Sequence, residues 1–149
     1  APLAGGGVRA AAGMTGANSL HESFVHLGLG ATAEAQPPYS GIDWYADYAA
    51  RTAADGADGR LVALHAFSAP WDSWEMHPHG AEVVVCTQGT ITLIQDIPGQ
   101  GHVATRLQPG EYAINPPGVW HTADADGPAE ALFITAGLGT AHRPRLAPA

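Results

Sequence analysis

Apolar and polar residues alternate along several short stretches of this chain, which is the pattern of strands with one buried face. The predicted strands are residues 23–29, 60–67, 83–86, 90–95, 102–107, 111–115 and 129–136. Pro98-Gly99, Gln108-Pro109-Gly110 and Pro116-Pro117-Gly118 mark turns between them. Many short strands divided by turns predict an all-β domain, built as a sandwich or a closed barrel.

One stretch has helical spacing instead. Trp44, Tyr45 and Tyr48 would share one face of a short helix over residues 44–52, with Asp43 as its N-cap. The segment 36–38 (QPP) ahead of it predicts a turn. The helix is expected to pack its aromatic stripe against the barrel, and a role as a lid is the alternative.

The two ends of the chain differ in composition from its middle. Residues 1–19 are rich in Ala and Gly with almost no large side chains, so we expect a flexible tail there. A single domain is predicted over residues 20–149. The segment 137–145 (GLGTAHRPR) is expected to wrap around the outside of that domain or to contact a partner.

Charge and cysteine content exclude several function classes. The 149 residues include six Arg and no Lys against 14 acidic residues, and the net charge is −8. No basic patch can form with so few cations, so neither nucleic acid nor an anionic membrane is an expected partner. No apolar run approaches the ~20 residues of a membrane-spanning helix. The single cysteine, Cys86, excludes an internal disulfide, and with no signal peptide recognised we expect a cytoplasmic protein.

Metal-competent side chains are concentrated in the stretch 74–89 (WEMHPHGAEVVVCTQG). Glu75, His77, His79 and Glu82 lie there directly ahead of an apolar run. The stretch 110–121 (GEYAINPPGVWH) supplies one further histidine, His121. Imidazole and carboxylate are ordinary ligands of divalent ions. Residues at i and i+2 of a strand face the same side, so Glu75 with His77, or His77 with His79, can point at one centre.

These two stretches resemble the two motifs of the cupin superfamily, G-x5-H-x-H-x(3,4)-E-x6-G and G-x5-P-x-G-x2-H-x3-N. Glu82-x6-Gly89 fits the end of the first motif, and Gly110-x5-Pro116-x-Gly118-x2-His121 fits the second. The opening glycine of the first motif is absent, and the last position of the second is Ala125. The resemblance covers about residues 60–136. It implies a double-stranded β-helix, or jelly-roll barrel, with one short helix and an N-terminal extension.

The resemblance implies a metal site but leaves one ligand open. With four residues between the second histidine position and Glu82, the ligands are Glu75, His77, Glu82 and His121, a set suited to Mn or Fe(II). If His77 and His79 form the histidine pair instead, His79 replaces Glu75, and the set moves towards Fe, Ni, Cu or Zn. We prefer the first set because its spacing to Glu82 fits the motif.

The resemblance also implies a small organic ligand that carries oxygen atoms. We expect a metal-dependent enzyme of the dioxygenase, isomerase or lyase type; the alternative is a non-catalytic binding or sensor module. Trp74, Trp120 and His65 are candidate pocket residues, although the two tryptophans would serve equally well to plug the ends of a barrel. Exposed sheet edges in a small barrel predict a homodimer.

Overall fold

The computed structural model describes residues 15–146, and within them the chain forms eleven strands and one α-helix. The strands are β1 (Ser23–Gly28), β2 (Thr32–Pro38), β3 (Arg60–Phe67), β4 (Ser73–Met76), β5 (Glu82–Gln88), β6 (Ile91–Ile97), β7 (Gly101–Leu107), β8 (Tyr112–Asn115), β9 (Trp120–Ala125), β10 (Ala129–Thr135) and β11 (Ala141–Pro144). The helix α1 (Ile42–Arg51) lies between β2 and β3. The predicted all-β class with one short helix is confirmed.

The strands form two antiparallel sheets. The six-stranded sheet has the order β2-β1-β3-β10-β5-β8, and the five-stranded sheet has the order β11-β4-β9-β6-β7. Strands that are neighbours in space are often distant along the chain, as β10 shows by pairing with both β3 and β5. Residues from the two motifs are therefore brought together by the sheet order rather than by local turns.

The main core fills the space between the two sheets. Val84 and Cys86 of β5 point into it, opposite Ile91 of β6 and Ala123 of β9. The intervening Val83 and Val85 are only half-buried because alternate residues of a strand face opposite sides. Cys86 is fully buried there, and burial raises the pKa of its thiol, so it acts as a small apolar residue.

A second, smaller core lies under α1. Trp44 from the helix packs against Phe24, Leu61 and Ala63 on the inner face of β1 and β3. Trp44 also donates a hydrogen bond to the Pro37 carbonyl at 3.0 Å. The helix thus covers the part of the six-stranded sheet that the shorter second sheet leaves open. This agrees with the prediction that the helix packs against the barrel.

Two sequence-based details of this region are wrong. The helix begins at Ile42 and its N-cap is Gly41, whose φ of 112° favours glycine, so Asp43 lies in the first turn instead of capping it. The predicted turn at residues 36–38 is the end of strand β2. Because β2 is the edge strand of its sheet, its prolines need no partner for a missing N–H.

The C-terminal segment adds the edge strand β11 to the five-stranded sheet, where it pairs with β4. The predicted tail falls mainly on residues 1–14, which lie outside the described residues, and the division into residues 1–19 and 20–149 stays a prediction. Within residues 15–146, no helix has both the length and the apolar character that crossing a bilayer requires.

Candidate metal centre

Four side chains from the two motifs meet in the space between the sheets. Glu75 lies on β4, His77 directly follows that strand, Glu82 begins β5 and His121 lies on β9. One ligand atom from each lies within 4.8 Å of the others. His79 is exposed in the turn between β4 and β5 and lies outside this group. The structure therefore brings together the preferred sequence-derived set and leaves the alternative ligand at the surface.

Strand pairing explains why these four converge. Glu75 and His121 are direct partners across β4 and β9, so their side chains leave the same face of the sheet. The turn before His121 is held to the first motif by a 2.9 Å hydrogen bond from the Gly118 N–H to the His77 carbonyl. Gly80 makes the sharp turn into β5, where a Cβ would overlap the side chain of Ala136.

The geometry of the cluster centres on the carboxylate of Glu82. His77 Nε2 lies 3.1 Å from Glu82 Oε2, and His121 Nε2 lies 3.2 Å from Glu82 Oε1. The Oε2 atom of Glu75 lies 3.7 Å from His121 Nε2. His121 is 0% exposed and Glu82 2%, so bulk water reaches neither side chain. Neither buried Nε2 atom has a hydrogen-bond partner of good geometry.

The other nitrogen of each imidazole fixes its tautomer. His121 Nδ1 lies 3.3 Å from the Val119 carbonyl, which can only accept, so Nδ1 carries the proton. His77 Nδ1 lies 2.8 Å from Thr140 Oγ1, and the Thr140 hydroxyl donates its own proton to the Gly137 carbonyl. In its neutral form, each imidazole would therefore present the lone pair of Nε2 to the Glu82 carboxylate. Lone pairs facing a carboxylate need a proton or a cation between them.

Neutral donors hold the Glu82 carboxylate in place from behind. The Asn115 amide donates to Oε1 at 3.0 Å, and the Thr135 hydroxyl donates to Oε2 at 2.6 Å. Gln95 in turn donates to the Asn115 side-chain oxygen at 2.8 Å, which sets the orientation of that amide. Both oxygens of Glu82 are thus oriented by hydrogen bonds from the protein itself.

The charged members of the cluster shift one another's pKa values. Burial alone would lower the pKa of His121, but the carboxylates of Glu75 and Glu82 raise it to about 9. Burial would raise the pKa of Glu82, yet the two histidines hold it well below its usual range. The pKa of Glu75 is also lowered, because His121 outweighs burial and the neighbouring Glu82. The raised pKa of His121 favours a proton between its imidazole and the two carboxylates near neutral pH.

Three polar side chains border the cluster. The Nε2 atom of His142, on β11, lies 3.2 Å from Oε1 of Glu75. Among the described residues, Glu75 is the one cluster member that is not fully buried. The Tyr45 hydroxyl of α1 and His65 Nε2 are hydrogen-bonded at 2.7 Å. Burial raises the pKa of Tyr45, and the negative charges of Glu75 and Glu82 raise it further. Burial lowers the pKa of His65. Tyr45 and His65 are therefore a neutral pair beside the charged cluster.

The two tryptophans predicted near the site lie on the other side of the five-stranded sheet. Trp74 and Trp120 each precede a cluster residue by one position, so alternation directs them to the opposite face. There the Arg143 guanidinium lies 5.3 Å from the Trp74 ring centroid and 4.5 Å from that of Trp120. Arg143 also pairs with Asp96 at 3.2 Å. Trp74 and Trp120 thus do not line the space beside the cluster.

Sequence reasoning missed the residues that support the four candidate ligands. Asn115 lies inside the second motif stretch, and its polar side chain at the end of an apolar strand was an available signal. Thr135 is the cross-strand partner of Glu82, which only the pairing of β10 with β5 reveals. Thr140 and His142 reach the site because β11 pairs with β4, and no sequence pattern indicated that pairing.

Comparison with known proteins agrees with this architecture. Residues 64–136 match the family model of the cupin domain. The matched segment includes Glu75, His77, Glu82 and His121. The match confirms the predicted cupin type of β-barrel. None of the curated proteins compared matches this chain.

Solved structures with a similar fold include two cupin-type proteins and one dioxygenase. A cupin-2 domain protein from Shewanella frigidimarina is 22% identical, over 58% of this chain and 71% of that one, with a TM-score of 0.43. A double-stranded β-helix protein from Klebsiella pneumoniae is 24% identical, over 58% and 76%, with a TM-score of 0.47. The hydroquinone 1,2-dioxygenase of a Sphingomonas species, solved with 4-hydroxybenzoate, is 19% identical, over 51% and 59%, with a TM-score of 0.42.

Proposed function

Because the chain contains a cupin domain, we propose that Glu75, His77, Glu82 and His121 bind one divalent transition-metal ion, at which a small oxygen-bearing organic molecule is bound and transformed. The observation that carries this proposal is the pair of buried Nε2 atoms, on His77 and His121, that face the Glu82 carboxylate without hydrogen bonds. Two imidazoles and two carboxylates suit Mn or Fe(II).

Such an ion would supply Lewis-acid or redox chemistry to a ligand bound through oxygen. The chain's own contribution is to keep the donors in place. Thr140 and the Val119 carbonyl hold the two imidazoles in the ligating tautomer. Asn115 and Thr135 keep both oxygens of Glu82 oriented, so little rearrangement accompanies binding.

Access to the site is proposed from the side of Glu75. The Glu75 side chain is 25% exposed, whereas those of Glu82 and His121 are 3% and 1% exposed. Tyr45 and His65 border this side, and their pKa shifts keep both neutral near pH 7. The Tyr45 hydroxyl, which also bonds to His65, would bind a polar group of a ligand, while the partly exposed ring of Tyr39 near His65 favours an apolar remainder.

The charge around the site favours a ligand without multiple negative charges. Among residues 15–146, the groups that shift the pKa values of Glu75, Glu82 and His121 are one another and His77, and no arginine is among them. A divalent cation with two carboxylates leaves no net positive charge to attract a polyanion. We therefore propose neutral or singly charged oxygen chelators as the ligand class.

Metal analysis of the full chain, purified without a metal-affinity tag or chelator, tests the proposal. The expected result is about one divalent ion per chain and tighter binding of a hydroxy-ketone chelator such as maltol than of inorganic phosphate. No bound ion, and no binding of added Mn²⁺ or Fe²⁺, would contradict it. Turnover of bound ligands distinguishes an enzyme from the binding or sensor module.

We also propose that the chain forms a homodimer, independently of the metal. The predicted cytoplasmic location rests mainly on the single cysteine and stays a prediction.

A further inference from the structure

The edge strand β11 and the residue before it contact two of the four candidate ligands from one face. His77 Nδ1 donates a hydrogen bond to Thr140 Oγ1 at 2.8 Å. His142 Nε2 lies 3.2 Å from Glu75 Oε1, and because a carboxylate can only accept, this nitrogen is the donor. The bond to Oε1 leaves the other oxygen of Glu75, Oε2, on the side of His121. Side chains of this segment thus orient both ligands that lie on β4 or directly after it.

The opposite face of β11 is anchored on the outside of the sheet. Arg143 follows His142 by one position, so alternation directs its side chain away from the cluster. Its guanidinium lies over the rings of Trp74 and Trp120 and pairs with Asp96. An exposed ion pair alone would hold the strand weakly, and the two cation–π contacts add to it.

Arg145 anchors the segment a second time, just beyond the strand. Its backbone N–H donates to the Asp72 carbonyl at 2.9 Å. Its guanidinium lies 2.6 Å from the carboxylate of Asp124, which belongs to β9, the strand that also carries His121. Residues 140–145 are therefore tied to both strands from which the five-stranded sheet contributes ligands, and we call them the clasp.

The clasp is nevertheless a marginal element of the fold. The strand β11 is four residues long, none of them is buried, and it pairs at the sheet edge with β4, which is equally short. Elements with few buried apolar contacts open locally at a smaller free-energy cost than global unfolding. Such opening would remove the hydrogen-bond partners of His77 and Glu75. Glu82 would keep its bonds to Asn115 and Thr135.

We infer that docking of the clasp and metal binding stabilise each other, with Arg143 as the positioning residue that holds the clasp from the far face of the sheet. The inference rests on the proposed function. An ion that needs His77 and Glu75 in their ligating orientation binds the docked state more tightly than the open state. Linkage then requires that the ion stabilises docking by the same factor.

The sign of the effect separates this role of Arg143 from its charge. Removal of a positive charge makes a site more attractive to a cation, whereas loss of the docked clasp weakens metal binding. Arg106 is the matched control, because it is exposed on β7, at the opposite edge of the same sheet. Arg106→Ala changes the net charge by the same amount as Arg143→Ala and leaves the clasp anchored.

Titration of the full chain with Mn²⁺ gives the first readout. Arg143→Ala is expected to bind Mn²⁺ about 3- to 10-fold more weakly than the wild type, the value of one or two cation–π contacts. Arg106→Ala should bind as tightly as the wild type or more tightly. Arg143 is partly exposed on an edge strand, so its removal leaves both cores of the domain intact.

Hydrogen exchange followed by mass spectrometry gives the second readout, on the clasp itself. Saturating Mn²⁺ should slow the exchange of residues 138–146 in the wild type. In metal-free Arg143→Ala the same residues should exchange faster than in the wild type, and saturating Mn²⁺ should restore most of the difference. Exchange in β10 should be equal in all samples, which shows that the variant is folded.

Two results would overturn the clasp while the metal site stands. One is Mn²⁺ binding by Arg143→Ala that equals or exceeds that of the wild type, and the other is exchange of residues 138–146 that Mn²⁺ does not change. A wild type that binds no Mn²⁺ would contradict the proposed function and the clasp together. If Arg143→Ala loses protection in β10, Arg143→Lys decides by the same two readouts, because it keeps the charge but not the planar contact with the rings.

Discussion

Glu75 and His121 are direct cross-strand partners on β4 and β9, with Glu75 Oε2 3.7 Å from His121 Nε2. This pairing joins the two sequence motifs at one point between the sheets. It also explains why a carboxylate, and not the exposed His79, belongs to the cluster. A strand partner of His121 is held in place by backbone hydrogen bonds, whereas a residue in the following turn is not.

The choice between Glu75 and His79 is open to a direct comparison of variants. Glu75→Ala should lower the metal content of the purified protein, because it removes one of four ligands. His79→Ala should leave the metal content nearly unchanged, since His79 is exposed outside the cluster. Loss of metal in His79→Ala, with none in Glu75→Ala, would assign the fourth ligand to the other residue.

Thr140 is predicted to act on metal affinity through the tautomer of His77. Thr140→Val removes the acceptor for the Nδ1 proton and should weaken the metal affinity by about 10- to 100-fold. Thr140→Ser is the control, because it keeps the hydroxyl and should bind metal nearly as the wild type does. Titration with Mn²⁺ measures both. Equal affinities of the Val and Ser variants would show that this hydrogen bond has no part in ligation.

Metal affinity should rise with pH over a wider range than an ordinary histidine allows. The neighbouring carboxylates raise the pKa of His121 to about 9 in the metal-free protein. Below that pH the ion must displace a proton, so the apparent affinity should increase about tenfold per pH unit until it levels off near pH 9. Binding should release a proton, which an indicator dye in weak buffer detects. An affinity that is constant between about pH 6 and 8 would argue against imidazole ligation by His121.

Tyr45 is predicted to affect ligand binding without affecting the metal. Tyr45→Phe keeps the ring in the aromatic cluster under α1 but removes the hydroxyl that bonds to His65. The metal content should stay at the wild-type level, while the affinity for a chelating ligand such as maltol should fall by up to about tenfold, the value of one hydrogen bond. A fall in metal content would instead make Tyr45 a support of the cluster.

Local alternation was enough to predict most of the strands, whereas the preferred ligand set came from the resemblance to the two motifs. Strands such as β3 and β5 have one buried and one half-exposed face, and that alternation is visible in the sequence. Alternation allowed Glu75 with His77, or His77 with His79, to share a centre, and the motif spacing to Glu82 favoured Glu75. The prolines of β2 led to the prediction of a turn where the structure has a strand. Proline lacks the N–H that a central strand needs, so it is tolerated at a sheet edge, and a sequence does not show which strand lies at an edge.

The parts that were missed depend on which strands pair. Thr135 and Thr140 reach the cluster through partners more than fifty residues away along the chain. The tryptophans were placed near the site because they are next to its ligands in sequence. The same alternation that put Glu75 and His121 inside the barrel puts Trp74 and Trp120 outside it.

The most direct test of the metal centre is the metal content of His121→Ala beside the wild type, both purified without a metal-affinity tag or chelator. His121 is fully buried, and within the described part of the chain it is the one cluster ligand contributed by the second motif. The variant should keep the β-rich circular dichroism spectrum and lose its bound ion, while the wild type holds about one per chain. Full metal retention in folded His121→Ala would contradict the proposed site.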